Sequence, residues 1–497
     1  MFATQLAATA QVGGLEQRDF HVTERHDFAR VPLGVQPAVV TAIPLVAADL
    51  LAVIVSFAIA WPLTTLPWSA APIDWLALAT GLTSALLVAN LAVGLYPGIG
   101  LSAVAELRQA SLACACIALI FLAVAFMRAT SPAATQLTIA TTCCLLFPSM
   151  SLFRRVTRAV FGRCAWWGQG ALIVGEGAAA ITVYSFLRHN PSIGLRPLGI
   201  VGERPAADHR AAPHCFLGPL SRAGAIARQF GRPWLIVATA ADTHEGVKTV
   251  LDSLGRLGTH RTLVARLDGS PSLWNRAADC LDWPGDDGTS GITPPLRVVK
   301  RTIDVTFTIV AGPLLLPLMI VIATLIKLSS PGPALYQHER IGRNNRRFKA
   351  WKFRTMVCDA DHVLSACLAA CPQRREEWNR DHKLRDDPRV TAIGRWLRKT
   401  SLDELPQLLN VLWGEMSLVG PRPIVDAEVE KYGDRFGLYC NVSPGVTGLW
   451  QISGRNDTTY AERVELDSHY ARHWSVWLDL YILVLTLKVV LFRQGAY

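Results

Sequence analysis

Four long apolar segments in the first third of the chain most constrain what it can fold into. They lie at residues 39–61, 73–95, 111–127 and 133–153. Each is close to the roughly 20 residues that an α-helix needs to cross a bilayer. The composition agrees, because 51% of the residues are hydrophobic and only 18% are charged, which is too apolar for an ordinary soluble protein. The sequence therefore predicts a multi-domain integral membrane protein, with a tail at residues 1–38 and a four-helix transmembrane bundle at residues 39–153.

Basic residues indicate how this bundle is oriented. Three arginines precede the first segment and four follow the fourth, whereas residues 62–72 contain no lysine or arginine. By the positive-inside tendency, both ends of the bundle are expected to face the cytoplasm. The net charge of +10 also suits binding of anionic membrane lipid or phosphate groups. The chain contains no recognisable nucleic-acid-binding module, so we expect no nucleic acid partner.

Residues 168–266 alternate between strand and helix patterns, which predicts a Rossmann-like α/β domain. The expected strands are residues 171–174, 198–201, 234–237 and 262–265. Gly175 and Gly177 would admit a pyrophosphate and Glu203 would reach a ribose hydroxyl, but Ala180 replaces the third glycine of the fingerprint. We therefore assign no cofactor-binding residue, and favour a structural or regulatory domain over a nucleotide site. Residues 267–296, rich in Gly, Pro, Asp and Ser, are interpreted as a linker.

A fifth apolar run, at residues 303–327, opens the last domain, which we place at residues 297–497. Pro313 and Pro317 interrupt the run, and each removes a backbone hydrogen-bond donor. Basic residues flank the run on both sides, so a simple span would place one basic flank outside. A helix that bends at Pro317 and returns to the same leaflet satisfies both observations. The alternative is a kinked fifth span.

An adjacent acid pair, Asp403-Glu404, is the central feature of this domain. Ser401 and Glu404 have the spacing of a capping box at the start of a helix. Arginines lie on either side of the pair in sequence, and a carboxylate at a helix N-terminus among arginines suits a phosphate-handling site. In the basic segment upstream, Lys352 and Arg354 are two residues apart and would share one face of a strand, where both would reach phosphate oxygens.

Several motifs in one order resemble a known family. They are K-R-T-I-D at 300–304, K-F-R-T-M at 352–356, S-L-D-E-L-P-Q at 401–407, G-P-R-P at 420–423 and P-G-V-T-G-L-W-Q-I-S-G-R-N at 444–456. The domain resembles the bacterial sugar transferases that move a hexose-1-phosphate from a nucleotide sugar to polyprenyl phosphate. With the four upstream segments, the chain looks like the long branch of that family, the undecaprenyl-phosphate galactose or glucose phosphotransferases. The resemblance implies an α-rich monotopic catalytic domain with a re-entrant membrane helix.

The resemblance also implies roles for single residues. Asp403 is expected to be the nucleophile that forms an aspartyl-phosphosugar, and Glu404 the ligand of Mg²⁺. Lys352, Arg398 and Arg422 are expected to bind phosphate or nucleotide groups. The remaining candidates for substrate binding are Arg354, Gln451 and Arg455, the last two with turn formation as the plain alternative.

The final segment, residues 474–493, contains Asp479 and Lys488, which leave too short an apolar stretch to span a bilayer. It is predicted to lie at the interface, with Trp474, Trp477 and Tyr481 at headgroup level, or to pack on the catalytic domain.

Taken with the resemblance, the sequence predicts a transferase of the bacterial inner membrane with its catalytic domain facing the cytoplasm. It would move hexose-1-phosphate from a UDP-sugar to undecaprenyl phosphate, release UMP, and so initiate synthesis of an O-antigen, capsule or exopolysaccharide. Galactose is favoured over glucose as the sugar, and the resemblance suggests a homodimer. The alternative from another class is an inactive membrane scaffold whose Rossmann-like domain senses a nucleotide.

Overall fold

The structure is a computed structural model that describes most of the chain. The residues described are 37–65, 75–127, 133–175, 177–202, 215–230, 233–240, 262–267, 294–381, 384, 387–453 and 458–492. Arg455 and Glu203, nearly all of the predicted tail and most of the predicted linker lie outside these ranges. The chain forms two compact units, one built from residues 1–100, 114–235 and 252–261, and the other from residues 101–113, 236–251 and 262–497.

Each of the four predicted spans corresponds to a helix in the structure. They are α1 (Pro37–Thr65), α2 (Trp75–Ala92), α3 (Ala103–Met127) and α4 (Ala133–Phe161). Within the described residues, four helices are long and apolar enough to cross a membrane, namely α1, α3, α4 and a later helix, α7 (Pro294–Ser329). The apolar part of α2, Leu78–Ala92, is shorter. Helix α3 begins eight residues before the predicted segment. Its first turns contain the charged residues Glu106 and Arg108, so this part of the helix is not an apolar run in the sequence.

A buried ion pair joins α1 and α4. Arg154 donates from Nε to Asp49 Oδ1 and from Nη2 to Asp49 Oδ2, each at 2.7 Å, and both side chains are at most 1% exposed. Asn90 in α2 adds a third donor to Asp49 at 2.9 Å. Asp49 lies inside the first predicted span, and Arg154 belongs to the basic flank predicted to follow the fourth. Arg154 instead neutralises a buried carboxylate.

The α/β region contains the four predicted strands. These and one further strand are β1 (Gln169–Gly175), β2 (Leu195–Val201), β3 (Phe216–Gly218), β4 (Trp234–Ala240) and β5 (Thr262–Leu267). Strand β1 pairs in parallel with β2, and β2 in parallel with β3, which is only three residues long and was not predicted. Helices α5 (Gly177–His189) and α6 (Ala223–Gln229) lie between strands in sequence. Residues 171–174 are fully buried, as expected of a parallel strand covered on both faces.

Helix α7 is 36 residues long, or about 54 Å at 1.5 Å per residue, and contains both Pro313 and Pro317. Its middle is exposed, with Val310 73% and Leu314 80% accessible, whereas Ile322 and Ile326 are buried against Phe353 and Leu397. The structure assigns the helix without interruption, and its return to the same leaflet stays a prediction.

The rest of the second unit is built from short elements. In chain order they are β6 (Leu335–Ile341), β7 (Arg347–Phe353), α8 (Ala360–Ala370), α9 (Pro372–Asp381), α10 (Ala392–Thr400), α11 (Gln407–Trp413), β8 (Ser417–Val419), α12 (Asp426–Tyr432), α13 (Phe436–Cys440), β9 (Gly445–Thr447), α14 (Leu449–Ile452), α15 (Tyr460–Arg472) and α16 (Val476–Phe492). Strands β6 and β7 form an antiparallel hairpin, and β8 pairs in parallel with β9.

The C-terminal segment packs into the core of the last domain. Trp474 is 8% exposed and Tyr481 5%, in one cluster with Val411, Leu418 and Tyr470. The expectation that Trp474 and Tyr481 lie at headgroup level is therefore wrong, and the packing alternative is confirmed for them. The reason is Asp479, which lies in the same buried region and accepts a hydrogen bond from Trp474 Nε1 at 2.9 Å.

Candidate active site

The acid pair lies on a tight turn between two helices. Asp403 and Glu404 belong to a 3-10 turn, Leu402–Glu404, that connects α10 to α11. Ser401 has a φ of 57°, in the left-handed region, and its side chain makes no capping hydrogen bond. The predicted capping box is therefore wrong, because Ser401 ends α10 with a left-handed backbone and its hydroxyl makes no capping hydrogen bond to the turn that follows. The turn places the pair at the wall of a cavity.

Strand β7 brings Lys352 to the acid pair. Its Nζ lies 2.6 Å from Glu404 Oε1 and 3.9 Å from Asp403 Oδ2. Asn410 of α11, which is fully buried, fixes the strand: its Oδ1 accepts from the Trp351 backbone at 3.0 Å, and its Nδ2 donates to the Lys349 carbonyl at 2.8 Å. These two hydrogen bonds hold the register of β7 against the helix that follows the turn.

Arg422 approaches Glu404 from the G-P-R-P segment. Its Nη1 lies 3.8 Å from Glu404 Oε1, and its guanidinium lies over the Trp450 ring at 5.7 Å from the centroid. Proline on either side stiffens the backbone here. Arg422 thus reaches the cavity with a side chain that is 35% exposed and open to a ligand.

Arg398 enters the same cavity from α10. Its Nε donates to Thr355 Oγ1 at 3.0 Å, and burial lowers the pKa of its guanidinium. Helix α10 lies so close to the chain after β7 that a Cβ on Gly394 would collide with the Thr355 carbonyl. This close approach sets Arg398 near the acid pair, and Asp403 acts on it electrostatically.

Arg354 has partners of its own. It follows the end of β7, and its terminal nitrogens donate to the carbonyls of Pro331 and Ser330 and to Ser330 Oγ, at 2.7 to 2.8 Å. The residue lines the cavity, yet its guanidinium holds the chain at the end of α7. A role in substrate binding stays a prediction and would require these bonds to be exchanged.

The cavity has a volume of about 1140 Å³ and collects most of the candidate residues. Among its lining residues are Lys352, Arg354, Arg398, Asp403, Glu404, Arg422 and Gln451. Such a volume exceeds the range of about 300–1,000 Å³ that is usual for a small-molecule site.

Three residues of this site were missed by the sequence reasoning. Tyr336, His338 and Arg340 alternate along β6 and all line the cavity. Their spacing of two was the available signal, because alternate residues of a strand face one side. Burial and the nearby Arg422 lower the pKa of Arg340, which makes it a further cation directed at the site.

Two opposing effects act on Asp403. Burial raises the pKa of its carboxyl, and the neighbouring Glu404 raises it further. Lys352 and Arg398 lower that pKa, which favours the ionised form. An anionic Asp403 therefore depends on these two cations.

The acid pair also offers oxygen ligands for a metal. No group of three or more His, Cys, Asp or Glu residues gathers in the described part of the chain. Mg²⁺ commonly uses only one or two carboxylates and takes its other ligands from water and substrate phosphates. Glu404 and Asp403, side by side at an open cavity, fit such a site.

Together with the helices of membrane-spanning length, a cleft that sets the Asp403-Glu404 pair among Lys352 and several arginines indicates a membrane protein with a site for an anionic substrate. The profile of the family described as "Bacterial sugar transferase" matches residues 296–493. The chain is 35% identical over 367 residues to the undecaprenyl-phosphate galactose phosphotransferase of Salmonella typhimurium, which covers 69% of this chain and 73% of the relative. It is 50% identical over 201 residues to the UDP-galactose-lipid carrier transferase of Erwinia amylovora, covering 40% of this chain and 42% of the relative.

A relative from Escherichia coli K12 is named for a different sugar. The UDP-glucose:undecaprenyl-phosphate glucose-1-phosphate transferase is 39% identical over 221 residues, which is 43% of this chain and 44% of the relative. The chain belongs to the bacterial sugar transferase family. The apolar helices upstream of the matched domain fit the long branch of that family.

Proposed function

We propose that this protein transfers hexose-1-phosphate from a UDP-sugar to undecaprenyl phosphate and releases UMP. The observation that carries the proposal is the convergence of Lys352, Arg398 and Arg422 on the pair Asp403-Glu404 in one cavity. Galactose is the favoured sugar, because the relatives from Salmonella typhimurium and Erwinia amylovora are both named for it. UDP-glucose is the alternative donor for the same reaction. The product would be the first lipid-linked intermediate of an O-antigen, capsule or exopolysaccharide.

The reaction proceeds in two displacements. An oxygen of Asp403 attacks the phosphorus that carries the sugar, the bond from that phosphorus to the oxygen shared with UMP breaks, and UMP leaves with the electron pair. An oxygen of undecaprenyl phosphate then attacks the same phosphorus, which forms the lipid diphosphosugar and restores the Asp403 carboxylate. Lys352, Arg398 and Arg422 neutralise phosphate charge in both steps.

The geometry supports different tasks for the two acids. The Nζ of Lys352 is 2.6 Å from Glu404 Oε1 but 3.9 Å from Asp403 Oδ2. Asp403 therefore has the weaker ion pair with Lys352, which suits its proposed role as the nucleophile. Glu404 would hold Mg²⁺, which when bound supplies positive charge to the diphosphate. Gln451 and Arg455 are proposed to complete substrate recognition.

The contacts of α7 support a re-entrant course in the membrane. Near its start, Asp304 accepts hydrogen bonds from Ser417 Oγ at 2.7 Å and from the Leu418 backbone at 3.1 Å. Near its end, Ile322 and Ile326 pack against Phe353 of the same domain. A domain that holds both ends of an apolar helix lies on one side of the bilayer, so the exposed middle must enter and return. We place the break at Pro317, with the cleft facing the cytoplasm from the bacterial inner membrane.

Three further assignments complete the proposal. The parallel pairing of β1, β2 and β3 supports a Rossmann-like arrangement of residues 168–266. The part of the basic segment 340–354 that does not line the cavity is proposed to contact anionic lipid, and the protein is proposed to act as a homodimer.

The test is UMP release by the full chain in detergent, with undecaprenyl phosphate, Mg²⁺ and a panel of UDP-sugars. We expect release with UDP-galactose, none from Asp403→Asn, and none after chelation of the metal. Release with UDP-glucose alone would keep the reaction and overturn the sugar. Release by Asp403→Asn at the wild-type rate would overturn the nucleophile, and no release with any sugar would favour an inactive scaffold.

A further inference from the structure

A second cavity, separate from the candidate active site, opens beside the start of α7. It has a volume of about 240 Å³ and shares no lining residue with the larger cavity. Its polar lining consists of Arg297, Lys300, Arg301, Asp304, Arg343, Asn441 and Ser443, and we call it the basic pocket.

The charges of the basic pocket are unbalanced. Its single acid, Asp304, already accepts hydrogen bonds from Ser417 and from the Leu418 backbone. Lys300 is paired with Asp479 at 2.6 Å, and Arg301 donates to the backbone carbonyls of Val411 and Leu412 at the end of α11.

Two arginines of the pocket remain available to a ligand. In the part of the chain that the structure describes, Arg297 and Arg343 have no ion-pair partner, and both are exposed. The turn that carries Arg343 is unusual, because the next two residues, Asn344 and Asn345, have φ values of 56° and 60°. Arg343 of this turn and Arg297 of α7 line the same cavity.

The basic pocket lies at a definite distance from the apolar part of α7. Arg301 precedes Val305, the first residue after the last charge at Asp304, by four residues, or about 6 Å along the helix axis, and Arg297 precedes it by about 12 Å. The headgroup region on each side of a bilayer is about 5–8 Å thick. The pocket therefore sits at or just above headgroup depth when residues 305–321 are in hydrocarbon.

We infer that the basic pocket binds the phosphate of an anionic phospholipid headgroup. Arg297 and Arg343 supply charge-assisted hydrogen bonds to phosphate oxygens from two elements, α7 and the β6–β7 turn. Asn441 and Ser443 offer polar atoms to a headgroup hydroxyl. The inference rests on the membrane placement of α7 and does not depend on the reaction proposed at Asp403.

The test is native mass spectrometry of the full chain released from detergent, titrated with phosphatidylglycerol. The variant is Arg297→Gln with Arg343→Gln, and the matched control is Arg375→Gln with Lys399→Gln, which removes two exposed cations that line neither cavity. We expect the apparent affinity for the first lipid to fall about tenfold or more in the variant, since each basic residue near a membrane surface contributes about fivefold. The control should bind as wild type does.

Separate arms identify the source of the phosphate. Phosphatidylcholine should bind the wild type more weakly, because its headgroup carries no net charge. Displacement of phosphatidylglycerol by an equal concentration of glycerol 3-phosphate would overturn the lipid assignment in favour of a soluble anion. Equal loss in variant and control, or no loss in the variant, would overturn the pocket. An unchanged melting temperature shows that the variant is folded.

Discussion

At the scale of single residues, the site depends on how far Lys352 and Arg398 offset the burial of Asp403. Burial and Glu404 raise the pKa of Asp403, while Lys352 and Arg398 lower it. The same cations are proposed to neutralise the substrate phosphates. Each therefore has two separable effects, one on the nucleophile and one on the transition state.

Removal of Lys352 should expose both effects. In Lys352→Met the pKa of Asp403 rises, so the acid limb of the pH profile of kcat/KM moves to higher pH. We also expect kcat to fall by about 10²–10³-fold at the optimum, the usual loss for one preorganised charge donor. The profile is measured by UMP release, with Lys399→Met as the control. A fall in kcat with an unmoved acid limb would separate Lys352 from the ionisation of Asp403.

Removal of the nucleophile should stabilise the fold. Because the folded pKa of Asp403 is raised, the folded state holds the proton more tightly than the unfolded chain. The free energy of unfolding of the wild type therefore decreases as pH rises through the interval between those two pKa values. Asp403→Asn removes this loss, so its melting temperature should exceed that of the wild type by about 2 °C at pH 8, with the gap closing toward pH 4.

Glu404→Gln supplies the contrast to that stabilisation. It removes a carboxylate paired with Lys352 at 2.6 Å, and its melting temperature should fall. A melting temperature of Asp403→Asn at or below that of the wild type at pH 8 would contradict the destabilising role given to the Asp403 charge.

At the scale of elements, the K-R-T-I-D segment attaches α7 to the catalytic domain. Lys300 reaches Asp479 of α16, Arg301 reaches the end of α11, and Asp304 reaches β8. Tyr470 donates to Asp479 Oδ1 at 2.7 Å and completes the coordination of that buried carboxylate. The motif therefore connects one membrane helix to three other elements.

Loss of one partner in this cluster should be costly. Asp479→Asn leaves Lys300 buried without its counter-charge, and we expect the free energy of unfolding to fall by about 3–5 kcal/mol. The double variant Lys300→Met with Asp479→Leu should recover much of that loss, because no charge stays buried. Asp426→Asn is the control, since its pair with Arg347 is exposed and should cost under about 1 kcal/mol. Thermal or denaturant unfolding in detergent measures all three.

How much of this the sequence predicts depends on whether a feature is local. Asp403, Glu404, Lys352, Arg398 and Arg422 are found by motif, and the structure places them around one cavity. Ser401 looks like a helix cap by spacing, but the turn adopts a left-handed backbone that spacing does not encode.

The other features that the sequence does not predict are contacts between residues far apart in the chain. The pairing of Asp479 with Lys300 joins residues 179 apart in sequence, and the pairing of Asp49 with Arg154 joins residues 105 apart. A charge inside an apolar segment indicates the end of a membrane-buried stretch as long as its partner is unknown. For this reason the sequence around Asp479 predicts an interfacial position for the C-terminal helix.

At the scale of the whole molecule, the larger cavity is lined only by residues between Pro333 and Thr486. All of them lie in the domain matched by the family profile. The second compact unit also includes residues 101–113, where Ser111 Oγ accepts from Trp477 Nε1 at 2.5 Å and Val104 joins the core.

A fragment of residues 294–497 should therefore release UMP in detergent but melt at a lower temperature than the full chain. Activity is expected because the cavity lining is complete, and the lower melting temperature because Trp477 loses its partner. The fragment carrying Asp403→Asn is the control for background release. A folded fragment without activity, beside an active full chain, would show that the first 293 residues contribute to the site.

The two attachments of α7 to one domain have a mechanical consequence. On the proposed re-entrant course, the exposed stretch around Val310 and Leu314 displaces lipid from the cytoplasmic leaflet alone. Inserting protein volume into one leaflet expands its area relative to the other, as shallow amphipathic helices do. The protein would then favour bilayers that curve toward the cytoplasm, and would respond to the lateral pressure of that leaflet more than to the total thickness of the membrane.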